Sequence, residues 1–404
     1  MLATALSEYT SRTILVVTST FREAEQQAAE LSSLLGDDAV CYYPAWETLP
    51  HERLSPRSDT VGKRLAVLRR LCGNDELPAP RVVVAPVRAM LQPQVSGLGQ
   101  IFPVKFAVGQ EYPLEQLARD LVDASYARVD LVERRGEFAI RGGIADVFPP
   151  TLEHPVRVDF FGDEIDSITF FSVADQRSSD RTIDEVTASP CRELLITDDV
   201  RERAAALVKD HPHLSDLLEK VAAGQVTEGM ESLLPALVDK LELLVDVLPA
   251  DSLVLVFDPE LVRTRAEDLV RTSQEFLTAG WAAAGDGGEA PIDLSASAYR
   301  ELADVRQHTL DSGRGWWTLS PFAADVEESE TEKHLRIEEL PNWHGEVEKA
   351  IEEIAQEVRS GVTTVFTVEG RGLGSRIAEL LAGHEIGSRS CHRRRVPPDW
   401  RRAA

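Results

Sequence analysis

Hydrophobic and polar positions alternate strictly along "PVRVDFFGDEID" (155–166), with Val156, Val158 and Phe160 on one face and Arg157, Asp159 and Phe161 on the other. A period of two predicts a strand with one buried and one exposed side. The apolar trio marks the core side, which leaves Phe161 facing solvent on a face shared with Arg157. "GEFAIRGG" (136–143) repeats the pattern: Phe138 and Ile140 point inward, Ala139 and Arg141 outward, and Gly142-Gly143 permits a bulge or bend. "ARVDLV" (127–132) sets Val129 and Leu131 inward and Arg128 outward. Gly162-Asp163 supplies a tight turn into "EIDSITFF". The expected unit is a small antiparallel sheet whose polar face gathers Arg128, Arg141, Arg157 and Phe161.

Elsewhere the periods lengthen. "RTILVVTSTFREAEQQAAELSSLLG" reads as a buried strand over 14–17, a short loop and an amphipathic helix ending at Gly36. A second strand over 40–43, a helix over 59–71 and a third strand over 81–86 continue an α/β layer with a parallel sheet. Near Gly109 the texture changes, and a helix starting near Pro113 leads into the β-rich unit, which closes near Pro190. Helical stretches over 199–248, a strand over 252–258, a helix after Pro259 and the loop "GDGGEAP" (285–291) return the chain to α/β character. "DVEESETEKH" (325–334) reads as a linker, followed by a helix, the strand "VTTVFTV", a loop and a helix. The fold class expected is therefore a multidomain α/β protein. Its parts are an α/β domain over 1–108, an inserted β-rich α+β domain over 109–190, and a second α/β domain over 191–325. An acidic linker (326–341), the start of a small α/β domain (342–386) and a disordered basic tail (387–404) follow.

Length agrees, since 404 residues are more than one core accommodates. A formal charge of -25 argues against nonspecific nucleic-acid binding by the whole molecule, leaving only local basic patches for that purpose. Such a patch occurs in "GSRSCHRRRVPPDWRRAA", which holds six arginines and one acid. Cys41, Cys72, Cys191 and Cys391 are scattered without a C-x-x-C, so neither a disulfide framework nor a thiolate metal site is expected. The histidines form no H-E-x-x-H, and His211 and His213 read as a solvated turn. No apolar run is long enough to span a bilayer and no signal peptide is evident, so a cytoplasmic chain with no membrane partner is expected.

Several fragments imitate an ATPase. "DEID" (163–166) spells the carboxylate pattern of a helicase metal site, but it lies on a hairpin turn instead of at the end of a buried parallel strand. The P-loop pattern G-x-x-x-x-G-K-[ST] occurs nowhere, and "VGKR" (61–64) lacks the spaced glycine and the hydroxyl that would hold Mg²⁺. Gly370, Gly372 and Gly374 precede a helix, yet their spacing departs from G-x-G-x-x-G and no carboxylate completes a ribose site, which favours a turn. No nucleophile elbow, metal cluster or paired carboxylates emerge. Each arginine taken alone is an ordinary surface arginine. Taken with an aromatic ring on one face, they have the composition of an interface hot spot.

"RRGEFAIRGGIADVFPP" (134–150) and "PVRVDFFGDEIDSITFFSVADQRS" (155–178) together resemble the UvrB-homology region of the bacterial transcription-repair coupling factors. "PAWETLPHERLSPRSDTVGKRL" (44–65) is similar to that family's first domain, and the likeness covers most of 12–325. The resemblance implies domain 1a for 1–108, incomplete at its start, domain 2 for 109–190 and domain 1b for 191–325. It implies that domain 2 binds UvrA through Arg128 of the Y-x-R stretch, Arg141 of F-x-x-R-G, and Arg157 and Phe161 of R-V-D-F-F. Where UvrB has a further arginine, this chain has Ala139. The aromatic hairpin with which UvrB clamps DNA has no counterpart in "CYYPAWETLPHERLSP" (41–56).

The full-length family continues into an RNA-polymerase-interacting domain and a DNA translocase, which engage RNA polymerase, DNA, ATP and Mg²⁺; none of this is matched here. The function implied is a non-catalytic, cofactor-free UvrA-recruiting module of transcription-coupled nucleotide excision repair, with domain 2 unmasked. The stretch after Ile386 resembles nothing in the family and is expected to be an out-of-frame tail, with a nucleic-acid-binding arm as its functional alternative. One rival is a fragment of a UvrB-type ATP-dependent helicase and excinuclease subunit, which a P-loop would mark. The other is a nonfunctional truncated product exposing apolar interfaces.

Overall fold

The computed structural model describes residues 2–49, 52–285, 295–320, 343–366, 368 and 370–389. The acidic linker, most of the "GDGGEAP" loop and the tail from residue 390 lie outside them. The chain divides into two units, Met1–Ser32 with Asp37–Pro321, and Ser33–Gly36 with Phe322–Ala404.

Uninterrupted apolar runs build the centre of the first unit. Ile14–Thr18, Val82–Pro86 and Leu253–Phe257 have no polar alternation because both their faces are covered, as parallel strands require. The sheet is five-stranded, in the order Gly315–Leu319, Leu253–Phe257, Ile14–Thr18, Val82–Pro86, Val40–Tyr42. All pairs are parallel. The segments 1–108 and 191–325 thus contribute strands to one sheet and side chains to the core around it. The strand Gly315–Leu319 and the helix Leu2–Tyr9 add to the elements that periodicity predicts; the strand's signal is the β-forming "WWTL" after a glycine.

The inserted sheet is six-stranded, in the order Ser178–Thr182, Glu164–Phe171, Val156–Phe161, Ile144–Val147, Glu137–Arg141, Ala127–Arg128. Its pairs are antiparallel except the last. The helix Leu114–Asp123 packs Leu117 and Leu121 on Phe138, Val147, Val156, Val158, Ile165 and Ile168. Val104–Ala107 pairs with Glu185–Ala188 and adds Phe106, Val186 and Ala188 to the same core. Gly142, with φ of 61°, and Gly162, with φ of 67°, make the hairpin turns, a backbone region that costs glycine least.

The other side of this sheet is not uniformly polar. Val132, Ala139, Phe148 and Phe171 bury one another there, joined by Val129 and Val173. Two sequence expectations change as a result. Leu131 is exposed and Val132 is the buried residue, and Ala139 is only 1% exposed. Alternation fixed which residues oppose each other within a strand but not that a loop would fold back over part of the outer face.

A third cluster forms where Trp46 inserts among Leu194, Leu214, Leu218, Met230 and Leu237. Beside it Arg64, fully buried, donates from Nε to Glu193 (2.5 Å), from Nη1 to the Pro44 carbonyl (2.9 Å) and from Nη2 to Gln94 (3.0 Å). Trp46 Nε1 donates to the same Glu193 carboxylate at 3.1 Å. The arginine of "VGKR" is therefore a structural cross-link. In the second unit the helices Val347–Arg359 and Arg371–Gly383 are present. The strand expected over 362–368 does not appear in its described residues, 362–366 and 368.

Candidate docking face

The outer side of the inserted sheet is built around one carboxylate. Asp146 lies in the otherwise apolar strand Ile144–Val147, and register places it between Ala139 on one neighbour and Arg157 on the other. It is 1% exposed, a placement too costly for an unpaired charge. Arg157 answers it with a bidentate contact, Nε to Oδ1 at 2.7 Å and Nη2 to Oδ2 at 2.9 Å. Arg141 Nη2 reaches Oδ2 from the opposite strand at 2.5 Å. Arg157 further donates from Nη1 to the Gln176 carbonyl and to Ser178 Oγ, both at 3.3 Å, and its guanidinium lies 4.9 Å from the Phe171 ring centre. The Asp146 hydrogen bond holds the Arg157 pKa above the ordinary arginine value, against the opposing effect of burial.

Beyond this ion triad the face opens to solvent. Phe161 is 83% exposed at the end of its strand, against the Gly162-Asp163 turn. Ile144 is half-buried and pairs with Arg141 and Asp159 in register. The Arg141 side chain is 49% exposed and that of Arg157 only 17%. Arg141, Arg157 and Phe161 therefore lie on one side of the sheet, with the first and last accessible.

Arg128 is elsewhere. Its strand is parallel to Glu137–Arg141, and register sets Arg128 level with Phe138, on the helix side of the sheet. There it lines a groove with Leu114, Ala118, Val122, Phe138 and Ile140. Val129, its neighbour, turns to the outer face instead. Asp146 is not among the residues that sequence patterning singles out; its one signal is a lone acid among the apolar residues of "IADVF".

In the parallel sheet, the position that would hold a phosphate is the N-terminus of the helix Phe21–Leu35, which follows the strand Ile14–Thr18. Glu23 closes it: its carboxylate accepts from Ser19 Oγ at 2.7 Å and from the Thr20 amide at 3.2 Å, while Thr20 Oγ1 accepts from the Glu23 amide at 3.3 Å. This reciprocal cap places a negative charge where an anionic ligand would sit. "DEID" occupies the hairpin that its sequence suggested, with Glu164 opposite Phe161. Among the described residues no group of His, Cys, Asp or Glu is arranged to hold a metal ion, and no helix is long and apolar enough to cross a membrane.

The UvrB interaction domain family matches residues 104–194, which span the small ladder, the helix and the six-stranded sheet. A transcription-repair-coupling factor of Mycobacterium bovis is 46% identical over 392 residues, covering 91% of this chain and 31% of the relative. The Bacillus subtilis protein of that name is 28% identical over 95% of the chain. The Escherichia coli one is 37% identical over 38% of it. The chain spans about a third of the length of the first two relatives.

Proposed function

The chain is a homologue of part of the bacterial transcription-repair-coupling factors, and from that premise we propose that it recruits UvrA through the outer face of its UvrB interaction domain. The observation that carries this reading is the exposed Phe161 ring on the same side of the sheet as Arg141, whose guanidinium is anchored on buried Asp146. An exposed aromatic and a half-exposed arginine on one side of a sheet offer a partner an apolar anchor and a charged hydrogen bond for a carboxylate. Arg157 supports the face from within. Arg128 joins the footprint only if the partner wraps the sheet edge.

In this proposal the chain performs no chemistry in transcription-coupled nucleotide excision repair and takes no cofactor. Contacts to RNA polymerase and DNA are made by other regions of the longer proteins, and the chain acts in the cytoplasm. The capped helix N-terminus at Glu23 and the missing P-loop pattern support a binding role over a UvrB-type helicase. ATP turnover stimulated by DNA would reverse that choice.

The test is calorimetric titration of the purified chain with UvrA, with Arg141→Glu as its control. Arg141 is preferred to Arg157 because an acid at 157 would face Asp146 and unsettle the sheet itself. Binding by wild type that the variant loses supports the reading. A folded wild type that gives no heat of binding overturns it.

A further inference from the structure

Two arginines share one buried carboxylate on the docking face, and they are not equivalent. Arg157 commits its Nε, Nη1 and Nη2 within the domain, through Asp146, the Gln176 carbonyl and Ser178, and rests on Phe171. Arg141 meets Asp146 through Nη2 and keeps about half its side-chain surface in solvent. We propose that Asp146 is a positioning residue for docking: it aims Arg141 at the partner, so that Arg141 and not Arg157 receives the partner's carboxylate, beside an apolar pocket that takes Phe161. The inference rests on the UvrA reading above.

The charge balance favours this division. Asp146 and Asp159, both on this side of the sheet, act on the largely buried Arg157, whereas Arg141 meets Asp146 with half its side chain in solvent and is the cation more available to a partner carboxylate. The Asp146 carboxylate lies beneath the surface, 1% exposed, and so acts only through the arginines it holds. Its fixed place in the ladder, opposite both Ala139 and Arg157, denies the Arg141 fork much of the rotamer freedom that a partner would otherwise have to restrain.

The experiment measures UvrA affinity for the whole chain as wild type, Asp146→Asn, Arg141→Ala and the double variant, with thermal unfolding of each. Asp146→Asn is expected to weaken binding about tenfold, and the double variant to bind no more weakly than Arg141→Ala alone, because the two act through one contact. Asp146→Glu guards against a misfolded Asn variant. It retains the charge on a stem one methylene longer, and is expected to remain folded with a lowered unfolding midpoint and to lose affinity. Additive losses in the double variant, or unchanged affinity in both Asp146 variants while Arg141→Ala fails to bind, would overturn the proposal. If wild type does not bind UvrA, the docking reading fails, and positioning is judged by ¹⁵N spectra of the arginine side chains. Signals of Arg141 and Arg157 slowed in solvent exchange, and released by Asp146→Asn, support it; signals unmoved by that substitution overturn it.

Discussion

Arg157 and Asp146 form the fixed centre of the inserted sheet, joined through two hydrogen bonds of 2.7 and 2.9 Å on adjacent strands. The pair is shielded from water, whereas the Arg141 contact to the same carboxylate is half in solvent. Their energetic consequences therefore differ. Arg157→Ala is expected to destabilise the domain by about 3 kcal/mol, since it strips a buried carboxylate of its bidentate partner. Arg141→Ala is expected to cost about 1 kcal/mol or less. Urea unfolding of the two variants checks the order, and equal losses would contradict it.

Phe161 shows the reverse separation. At 83% exposure its ring contributes little to the core, so Phe161→Ala should leave folding stability within about 0.5 kcal/mol of wild type. UvrA affinity should fall by about 2 kcal/mol, with the salt dependence of binding nearly unchanged because no charge is removed. Loss of the folded state on this substitution would place the ring in the core after all.

Arg128 offers a test of the footprint. Because it lines the helix-side groove and not the outer face, Arg128→Glu is expected to weaken UvrA binding less than Arg141→Glu does. Equal losses, measured side by side by calorimetry, would mean that the partner reaches round the sheet edge.

Away from the docking face, Glu231 gives a pH prediction. Burial raises its carboxyl above the ordinary value, against the opposing effects of Arg192 and the Ser55 hydroxyl. The folded state therefore holds this proton more tightly than the unfolded chain. The associated stability is complete below the unfolded pKa and is lost as pH rises through the folded one. Glu231→Gln removes that loss. The variant's advantage over wild type in urea midpoint should be absent below about pH 4 and grow toward neutrality. An advantage that is constant with pH would refute the assignment.

Much of this protein is legible in its amino-acid order. The apolar runs at 14–17, 81–86 and 252–258 are neighbouring parallel strands, and the alternation of Val156, Arg157, Val158, Asp159, Phe160 and Phe161 marks their inward and outward sides. Gly162-Asp163 makes its turn, and the motifs of 134–178 carry the resemblance that the comparisons support. These features are local, fixed by a strand's period of two, by glycine's access to positive φ and by the full burial of parallel strands.

Tertiary structure alone decided how the strands were phased against one another. Period two tells which residues of one strand oppose each other, but the pairing register decides which of those sides meets a neighbour's, and a parallel partner put Arg128 on the side opposite Arg141. Burial of Val132 and Ala139 required a loop to return over the outer face. The union of 1–108 with 191–325 in one sheet required strands far apart in sequence to find each other. Asp146 gained its importance in the same way: its own strand gives only a lone acid among apolar neighbours, and the two arginines that make its burial tolerable arrive on separate strands by hydrogen-bonded pairing.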